Sequence, residues 1–230
     1  MYISQVFLNP RRRETRRLLA SPQRMHAEVL NAFGPGSLPE PGGGGPRVLW
    51  RIDPAAQHST LLLVSPEIPD LTKLTEVAGW PETHPGRSKP YDGFLDRLTL
   101  GSRWHYRIRA NPTKAVSQPG RQRSKVVGHV TAEQQARWWL DKAAHIGLEI
   151  PTESGADRAA DLVAVADRGT ESFHRGGDPA RGNRVHLRSA VFEGVCQISD
   201  SAGVRRALTE GVGRGKAYGC GLLTLVPVRG

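Results

Sequence analysis

The chain has 230 residues, with 32 Lys and Arg against 22 Asp and Glu, a formal charge of +10 and a pI near 10.3. Its apolar residues come in compact runs, which excludes disorder throughout and fits one large domain or two small ones. Two cysteines are too few for a disulfide framework, no cluster has zinc-ligand spacing, and no run suits a signal peptide or a membrane span. We therefore expect a cytoplasmic protein with no cofactor and no metal.

The positive charge is concentrated in two segments. No acidic residue lies between Asp96 and Glu133, and arginines dominate residues 11–24. The first segment contains Arg97, Arg103, Arg107, Arg109, Lys114, Arg121, Arg123 and Lys125, and the second contains Arg11, Arg12, Arg13, Arg16, Arg17 and Arg24. Such fields are typical of proteins that neutralise nucleic-acid phosphates, although a basic face kept for solubility has the same composition.

The first half of the chain predicts the order β-α-β-β-α-β of a ferredoxin-like domain. Apolar runs indicate strands, and stripes at helical spacing that follow capping residues indicate helices. The predicted strands are residues 2–8, 47–53, 59–65 and 98–110. The first predicted helix covers residues 11–20, and the third runs from Asp70 to about Ala78. Between them, a second helix is capped by Ser21 and carries the apolar stripe Met25, Val29, Ala32 and Phe33.

The second half roughly repeats this order. Thr131 and Gln134 form a capping-box signature, and Asp200 is positioned to cap a further helix. The predicted strands are 125–130, 161–166, 184–199 and 222–228, the last with the apolar composition of a central strand. We therefore expect an α+β protein of two small domains, residues 1–110 and 125–230, joined by a basic linker at residues 111–124.

Two predicted strands alternate between basic and apolar residues. Arg103, His105, Arg107 and Arg109 share one face of the first strand, and Arg184, His186 and Arg188 share one face of the second. Each strand would pack its apolar side on helices and present its basic side to a phosphate ligand. Exposed strand faces are also often basic without a specific ligand, so both interpretations stay open here.

Residues 211–221 form a glycine-rich run that contains Arg214 and Lys216. The glycine spacing matches neither a dinucleotide-binding fingerprint nor a phosphate-binding P-loop, and a strand follows it rather than a helix. Glycines let a backbone approach a ligand closely, and backbone amides beside cations can hold phosphate. The alternative is a flexible turn.

His26 differs from the other histidines by its context. It lies about one turn into a capped helix, beside the apolar stripe and within the arginine-rich segment. Imidazole titrates near neutral pH, so this side chain could move a proton without a metal ion.

Several blocks of the chain resemble one family. They are YISQVFLNPRRRETRRLL, SPQRMH, RIRANPTKAV, FEGVCQISD and GVGRGKAYGCGLLTLVP, and they run from the first strand to the last. They resemble CasE, the CRISPR RNA-processing endoribonuclease of the type I-E Cascade complex. The resemblance implies two tandem ferredoxin-like (RRM-like) βαββαβ domains and metal-independent cleavage of repeat RNA at the 3′ side of a stem-loop. It also implies that the protein stays bound to its product beside other Cascade subunits.

The resemblance assigns catalysis to His26 and places the glycine-rich loop at residues 211–221. Family members carry a tyrosine three residues before the histidine, and this chain has Gln23, which can hydrogen-bond a phosphate or 2′-hydroxyl but cannot exchange a proton near neutral pH. With the basic segments, the expected RNA-binding residues are Arg11, Arg16, Arg24, Arg107, Arg109, Lys114, Arg121, Arg123, Lys125, Arg181, Arg184, Arg188, Gly213, Arg214, Gly215, Lys216 and Gly219.

Three functions are consistent with these residues. The first is cleavage by attack of a 2′-hydroxyl on its adjacent phosphate, which leaves a 2′,3′-cyclic phosphate and a 5′-hydroxyl. The second is a non-catalytic clamp for stem-loop RNA, an interpretation that Gln23 keeps open. The third is an assembly subunit that anchors RNA in a larger complex, which is compatible with the first.

Overall fold

The structure is a computed structural model that describes residues 1–37, 45–117, 124–151, 163–174 and 184–228. These residues form two antiparallel sheets with helices packed against them, together with a two-stranded ribbon. The α+β class and the two ferredoxin-like units expected from the sequence are confirmed.

The first sheet has the strand order β2-β3-β1-β4, which is the ferredoxin-like order. Its strands are β1 (Tyr2–Leu8), β2 (Leu49–Pro54), β3 (Ser59–Ser65) and β4 (Arg87–Pro90). The short helix α4 (Asp92–Leu95) follows β4, and helices α1 (Arg13–Leu19), α2 (Pro22–Leu30) and α3 (Thr72–Ala78) belong to this unit. Val6 and Leu8 of β1 point to their side, where they pack with Met25, Val29 and Leu74 in one buried cluster.

The second sheet has the order β11-β5-β10-β8, with β9 also paired to β10. Its strands are β5 (Arg103–Ala110), β8 (Leu148–Glu149), β9 (Ala164–His174), β10 (Arg184–Ile198) and β11 (Leu223–Pro227). Helices α5 (Ala132–His145) and α6 (Ser201–Glu210) begin after the caps predicted from Thr131 and Asp200. Tyr106 and Phe192 pack against Trp139 of α5, with ring centroids 5.4 and 5.8 Å away; the ring of Phe192 is stacked and that of Tyr106 is tilted.

The predicted strand at 98–110 belongs to a different sheet from the one expected. The part of it that forms a strand, β5, pairs with β10 and β11 in the second sheet, and β4 is the fourth strand of the first sheet. The sequence pattern places β4 in a loop because it is a four-residue polar edge strand with no apolar alternation. The apolar side of β5, with Tyr106 at its centre, is instead covered by Trp139.

Two further strand positions also differ from expectation. The segment after Lys125, expected in the second sheet, forms β7 (Lys125–Gly128), which pairs with β6 (Thr113–Val116) in the separate ribbon. The C-terminal strand β11, expected at the centre, is an edge strand next to β5. Since β5 precedes residue 110 yet lies in the second sheet, the sheets do not follow the expected boundaries at 110 and 125.

A buried arginine joins the two sheets. Arg51 of β2 is 1% exposed and forms a double hydrogen bond with Asp53, with 2.8 Å from Nε to Oδ1 and from Nη2 to Oδ2. Its Nη1 also donates to the carbonyl oxygens of Arg107 and Leu222, at 2.8 and 2.9 Å, and its Nη2 donates to Thr224 Oγ1 at 2.9 Å. All the acceptors except Asp53 lie in or next to β5 and β11 of the second sheet.

We expect Arg51→Ala to lower the free energy of unfolding by about 3–5 kcal/mol, since it removes one of the two cationic partners of Asp53 and the buried donor of two carbonyls and a hydroxyl. Urea unfolding followed by circular dichroism measures this loss. Arg206→Ala, which removes an exposed arginine of α6, is the matched control and is expected to change stability by less than about 0.5 kcal/mol. Equal effects of the two substitutions would contradict the role of Arg51.

Candidate nucleic-acid interface and catalytic helix

Helix α2 carries His26 on a side that is only partly covered by protein. Ser21 caps the helix by accepting a hydrogen bond from the Arg24 amide at 3.4 Å, and Pro22 occupies the first turn. The apolar stripe anchors the helix through Met25 and Val29, both at most 1% exposed. His26 follows Met25, so its position is fixed by a buried neighbour.

His26 is held in its neutral form at pH 7. The ring is half-buried, and burial lowers its pKa below the ordinary value for histidine. Its Nδ1 is buried and has no hydrogen-bond partner among the described residues. Gln23 is half-buried three residues earlier, on the same side of α2. A neutral imidazole carries one ring nitrogen without a proton, so His26 can accept a proton from a substrate.

Helix α2 also packs against the short 3-10 turn Lys216–Tyr218. This contact brings together two motifs that are almost 200 residues apart in the chain, the helix with His26 and the glycine-rich loop. Lys216 is half-buried in that loop, and its pKa is lowered first by burial and then by the positive charge of Arg47. The helix that carries His26 therefore packs against a turn that contains a partly desolvated ammonium group.

Hydrogen bonds to the rest of the protein hold the glycine-rich loop in place. The Gly221 amide donates to the carbonyl of Arg109 at 2.7 Å, the Val212 amide donates to the carbonyl of Gly221 at 2.9 Å, and Arg214 forms an isolated β-bridge with Asn111. The described loop is thus a defined structure that continues the edge of the second sheet, rather than the flexible turn considered as the alternative.

Gly219 is needed for packing between the two units. Its φ is +74°, and a Cβ atom placed there would lie 2.7 Å from the indole ring of Trp50, a buried residue of β2. Gly219 is itself buried, so its role in the described structure is the close approach of the loop to β2. Gly213 and Gly215 are half-buried in the same loop, and Gly215 lines the groove described next.

A groove of about 820 Å³ runs between the β6–β7 ribbon, the start of β10 and the glycine-rich loop, and we refer to it as the ribbon groove. Three predicted RNA-binding cations line it, Lys114, Arg188 and Arg214, and none of its described lining residues is acidic. Asn111 and His186 also line the groove and were missed by the sequence-based list.

Two other predicted cations lie in the elements that border the ribbon groove. Lys125 begins β7 and is exposed, and Arg184 begins β10, where its Nε donates to Ser172 Oγ at 2.8 Å. Neither side chain is among the described residues that line the groove.

A second basic surface lies on α1 and α2, and we refer to it as the arginine surface. It is an open depression of about 450 Å³ lined by Arg13, Arg16, Arg17 and Arg24 together with Ala20 and Ser21. Arg13 and Arg17 were not on the expected list, although both lie in the arginine-rich segment. Arg24 lies in α2, two residues before His26, so α2 contributes directly to this surface.

Two predicted RNA-binding arginines form ion pairs within the protein. The alternation in β5 is confirmed, since Trp104, Tyr106 and Ile108 are buried, while Arg107 and Arg109 on its basic side pair with acidic residues of neighbouring strands. Arg107 forms ion pairs with Asp53, at 3.2 Å, and with Glu193.

Arg109 is the second of these arginines. It pairs with Glu171, and it donates to Ser189 Oγ at 2.9 Å and to the Tyr218 carbonyl at 3.1 Å. Both arginines therefore stabilise contacts between strands, which is a reason to leave them out of the interface.

The remaining predicted positions lie elsewhere. Arg121, Arg123 and Arg181 fall outside the described residues. Arg11 lies apart from both basic surfaces, in a pocket at one end of the first sheet. Within the described ranges, no group of three or more His, Cys, Asp or Glu side chains could hold a metal ion, and no helix is long and apolar enough to cross a membrane.

Comparison with known proteins identifies the family of this chain. The family described as CRISPR associated protein matches residues 1–227. The CRISPR-associated endoribonuclease Cse3 of Thermus thermophilus is 31% identical over 229 residues, which cover 99% of this chain and 100% of Cse3. The Cascade subunit CasE of Escherichia coli is 29% identical over 140 residues, which cover 57% of this chain and 62% of CasE.

A solved structure gives the same result. Thermus thermophilus Cse3 bound to an RNA representing a pre-cleavage complex superposes with a TM-score of 0.77 at 26% identity, covering 98% of both chains. The family match spans the chain from β1 to β11 and includes both the helix with His26 and the glycine-rich loop. The chain belongs to the family of CRISPR-associated proteins that includes Cse3 and CasE.

Proposed function

We propose that this protein is an endoribonuclease that binds the stem-loop of CRISPR repeat RNA and cleaves the strand at the 3′ side of the stem. The observation that carries the proposal is the position of α2. It holds a neutral His26, contributes Arg24 to the arginine surface, and packs against the turn whose Tyr218 lines the ribbon groove. A proton acceptor thus lies on the element that connects the two basic surfaces.

In the proposed reaction the RNA supplies its own nucleophile. The 2′-hydroxyl gives its proton to the His26 imidazole, its oxygen forms a bond to the adjacent phosphorus, and the bond from phosphorus to the 5′ oxygen breaks. The leaving oxygen takes a proton from water and the imidazolium returns its proton to water, so the products are a 2′,3′-cyclic phosphate and a 5′-hydroxyl. The protein has to move protons, hold the reacting atoms in line and offset charge on the phosphate.

Lys216 is the group we propose for offsetting that charge. It is the cation of the glycine-rich loop in the turn against α2, and a partly desolvated ammonium group interacts more strongly with a phosphate than an exposed one does. We propose that Gln23 hydrogen-bonds the phosphate or the 2′-hydroxyl from the same side of the helix, because an amide cannot transfer a proton at neutral pH.

Stem-loop binding follows from the two basic surfaces. An A-form helix hides its base edges in a narrow groove, so shape and phosphate contacts dominate its recognition. The ribbon groove and the arginine surface provide cations for such contacts with no acidic side chain among their described lining residues. The product remains bound within a Cascade assembly, a proposal supported by the membership of Escherichia coli CasE in Cascade.

One observation favours a second candidate function, a stem-loop clamp without catalysis. Gln23 removes the ionisable partner that family members carry, so His26 would act without a phenol.

We also propose a cytoplasmic location, which agrees with the two buried free thiols of Cys196 and Cys220.

His26→Ala is expected to slow cleavage about 10²- to 10⁴-fold, the usual contribution of a positioned proton-transfer group, with RNA affinity within a few-fold of wild type. Single-turnover cleavage of labelled repeat RNA and a binding assay measure the two quantities. His145→Ala, which removes an exposed histidine at the end of α5, is the matched control and should leave both unchanged. Full activity of His26→Ala would exclude His26 as the proton acceptor, whereas absence of cleavage by the wild-type protein would leave the clamp as the better assignment.

The pH profile should identify His26 as the proton acceptor. A base works only when neutral, so single-turnover rates should be constant near neutral pH and fall as the pH drops through the pKa of His26. Because burial lowers that pKa, the midpoint should lie below about 6.5, the ordinary value for histidine. Rates that rise as the pH falls would instead make His26 a proton donor.

The rate of cleavage in excess EDTA is expected to equal the rate in Mg²⁺.

The arginine surface should account for part of the salt dependence of binding. Replacing Arg16 and Arg24 with alanine is expected to weaken binding and to reduce the slope of log affinity against log salt by roughly 1–2, since each phosphate contact contributes about 0.7–0.9. The control replaces Arg97 and Arg206, two exposed arginines outside both basic surfaces, which removes the same charge. Identical slopes for the two double variants would exclude the arginine surface from the interface.

A further inference from the structure

The first sheet carries a pocket that the proposed cleavage reaction does not use. It has a volume of about 450 Å³, within the range of roughly 300–1,000 Å³ that is typical of small-ligand sites. Three turns at one end of the sheet build it, after β1, between β2 and β3, and between α3 and β4. The described residues that line it are Phe7, Asn9, Arg11, Gln57, His58, Trp80, Thr83 and His84.

The lining is dominated by flat rings. Phe7 projects from the sheet face opposite α1–α3, because its neighbours Val6 and Leu8 point into the helical core. The rings of His58 and His84 lie edge-on to Phe7, with centroids 4.7 and 5.6 Å away, and Trp80 completes the wall.

Hydrogen bonds position the turns that carry these rings. The His84 amide donates to the Trp80 carbonyl at 2.8 Å, and the Ala55 amide donates to the His58 carbonyl at 2.9 Å, which closes the β2–β3 turn. His84 Nδ1 also lies 3.0 Å from Thr83 Oγ1. The pocket is therefore preformed in the described structure, and its polar groups lie beside flat apolar surfaces.

The charged residues around the pocket indicate what kind of ligand it binds. Arg11 lies at the rim and is exposed, and it is followed by the arginines of α1, whereas none of the described lining residues is acidic. Asp53, which shares this sheet face, is already paired with Arg51 and Arg107. Aromatic faces with amide and hydroxyl groups at their edges and a cation beside them fit a base attached to a phosphate.

We propose that this pocket binds an unpaired nucleobase of the RNA, stacked on the ring side chains, with the attached phosphate at Arg11. The proposal rests on the proposed function in that the partner is RNA. It adds a subsite for single-stranded RNA next to the stem, separate from the ribbon groove and from the arginine surface.

The test compares two RNAs, the repeat hairpin with its single-stranded flanks and the same hairpin trimmed to the stem-loop. Trp80→Leu keeps an apolar side chain but removes the stacking face. It should weaken binding of the flanked RNA roughly 5- to 150-fold, the range that corresponds to the loss of one stacked base, and change binding of the trimmed RNA less than twofold. Equal affinity of Trp80→Leu and wild type for the flanked RNA, or equal losses for both RNAs, would overturn the subsite.

A second variant avoids any effect of Trp80 on folding. His84 is exposed, so His84→Ala should melt like wild type and still lose several-fold in affinity for the flanked RNA, whereas the exposed-histidine control His145→Ala should lose none. A His84→Ala protein that binds the flanked RNA as tightly as the control would also count against the proposal.

A direct measurement separates this proposal from the proposed function. Oligouridine and oligoadenosine tetranucleotides have no stem, so their binding does not depend on stem-loop recognition. Titrating them into the intact protein should shift the imidazole NMR signals of His58 and His84 and leave that of His145 in place. Absence of these shifts would overturn the subsite even if hairpin RNA is bound and cleaved. Their presence would support it even if hairpin cleavage fails.

Discussion

The arrangement of the two units depends on the buried guanidinium of Arg51. Removing an arginine from water is costly, and the cost is offset only because Asp53 pairs with it at two points and three acceptors in or next to β5 and β11 take its other protons. These acceptors are within hydrogen-bonding distance of Arg51 only if the two sheets meet at this position. The interaction therefore fixes how β2 lies against the second sheet, and with it how the helices of the first unit lie against the loop that follows α6.

That arrangement decides which cations are available to a ligand. Arg107 and Arg109 are drawn into the contacts between strands by Asp53, Glu193 and Glu171, so the strand with the most regular basic pattern contributes to cohesion of the protein. The cations that line the two basic surfaces lie on α1, α2, the ribbon, β10 and the glycine-rich loop. A long polyanion is bound by many exposed charges along its path. The arginines that stay exposed therefore indicate a binding surface better than the total charge of the protein does.

The glycine-rich loop connects packing with chemistry. The close approach of Gly219 to Trp50 holds the loop on the first unit, and the amide of Gly221 holds the C-terminal end of the loop on β5. Directly before Gly219, the turn at Lys216–Tyr218 packs against α2. The loop can therefore place a cation beside α2 only when both units are folded and in contact, which makes the proposed active site a property of the whole chain.

The sequence by itself determined the local structure and the family. The bounds of β1 and β3, the caps at Ser21, Thr131 and Asp200, and the alternation in β5 were predicted because each depends on neighbouring residues and on a period of 2 or 3.6. Only the tertiary structure decided that β5 joins the second sheet and that β4 completes the first. It also decided that Arg107 is paired internally and that Phe7, His58 and Trp80 share one pocket. The physical reason is that alternation shows a strand has two unlike faces but does not identify its partner, because pairing depends on backbone hydrogen bonds and on charges distant in the chain.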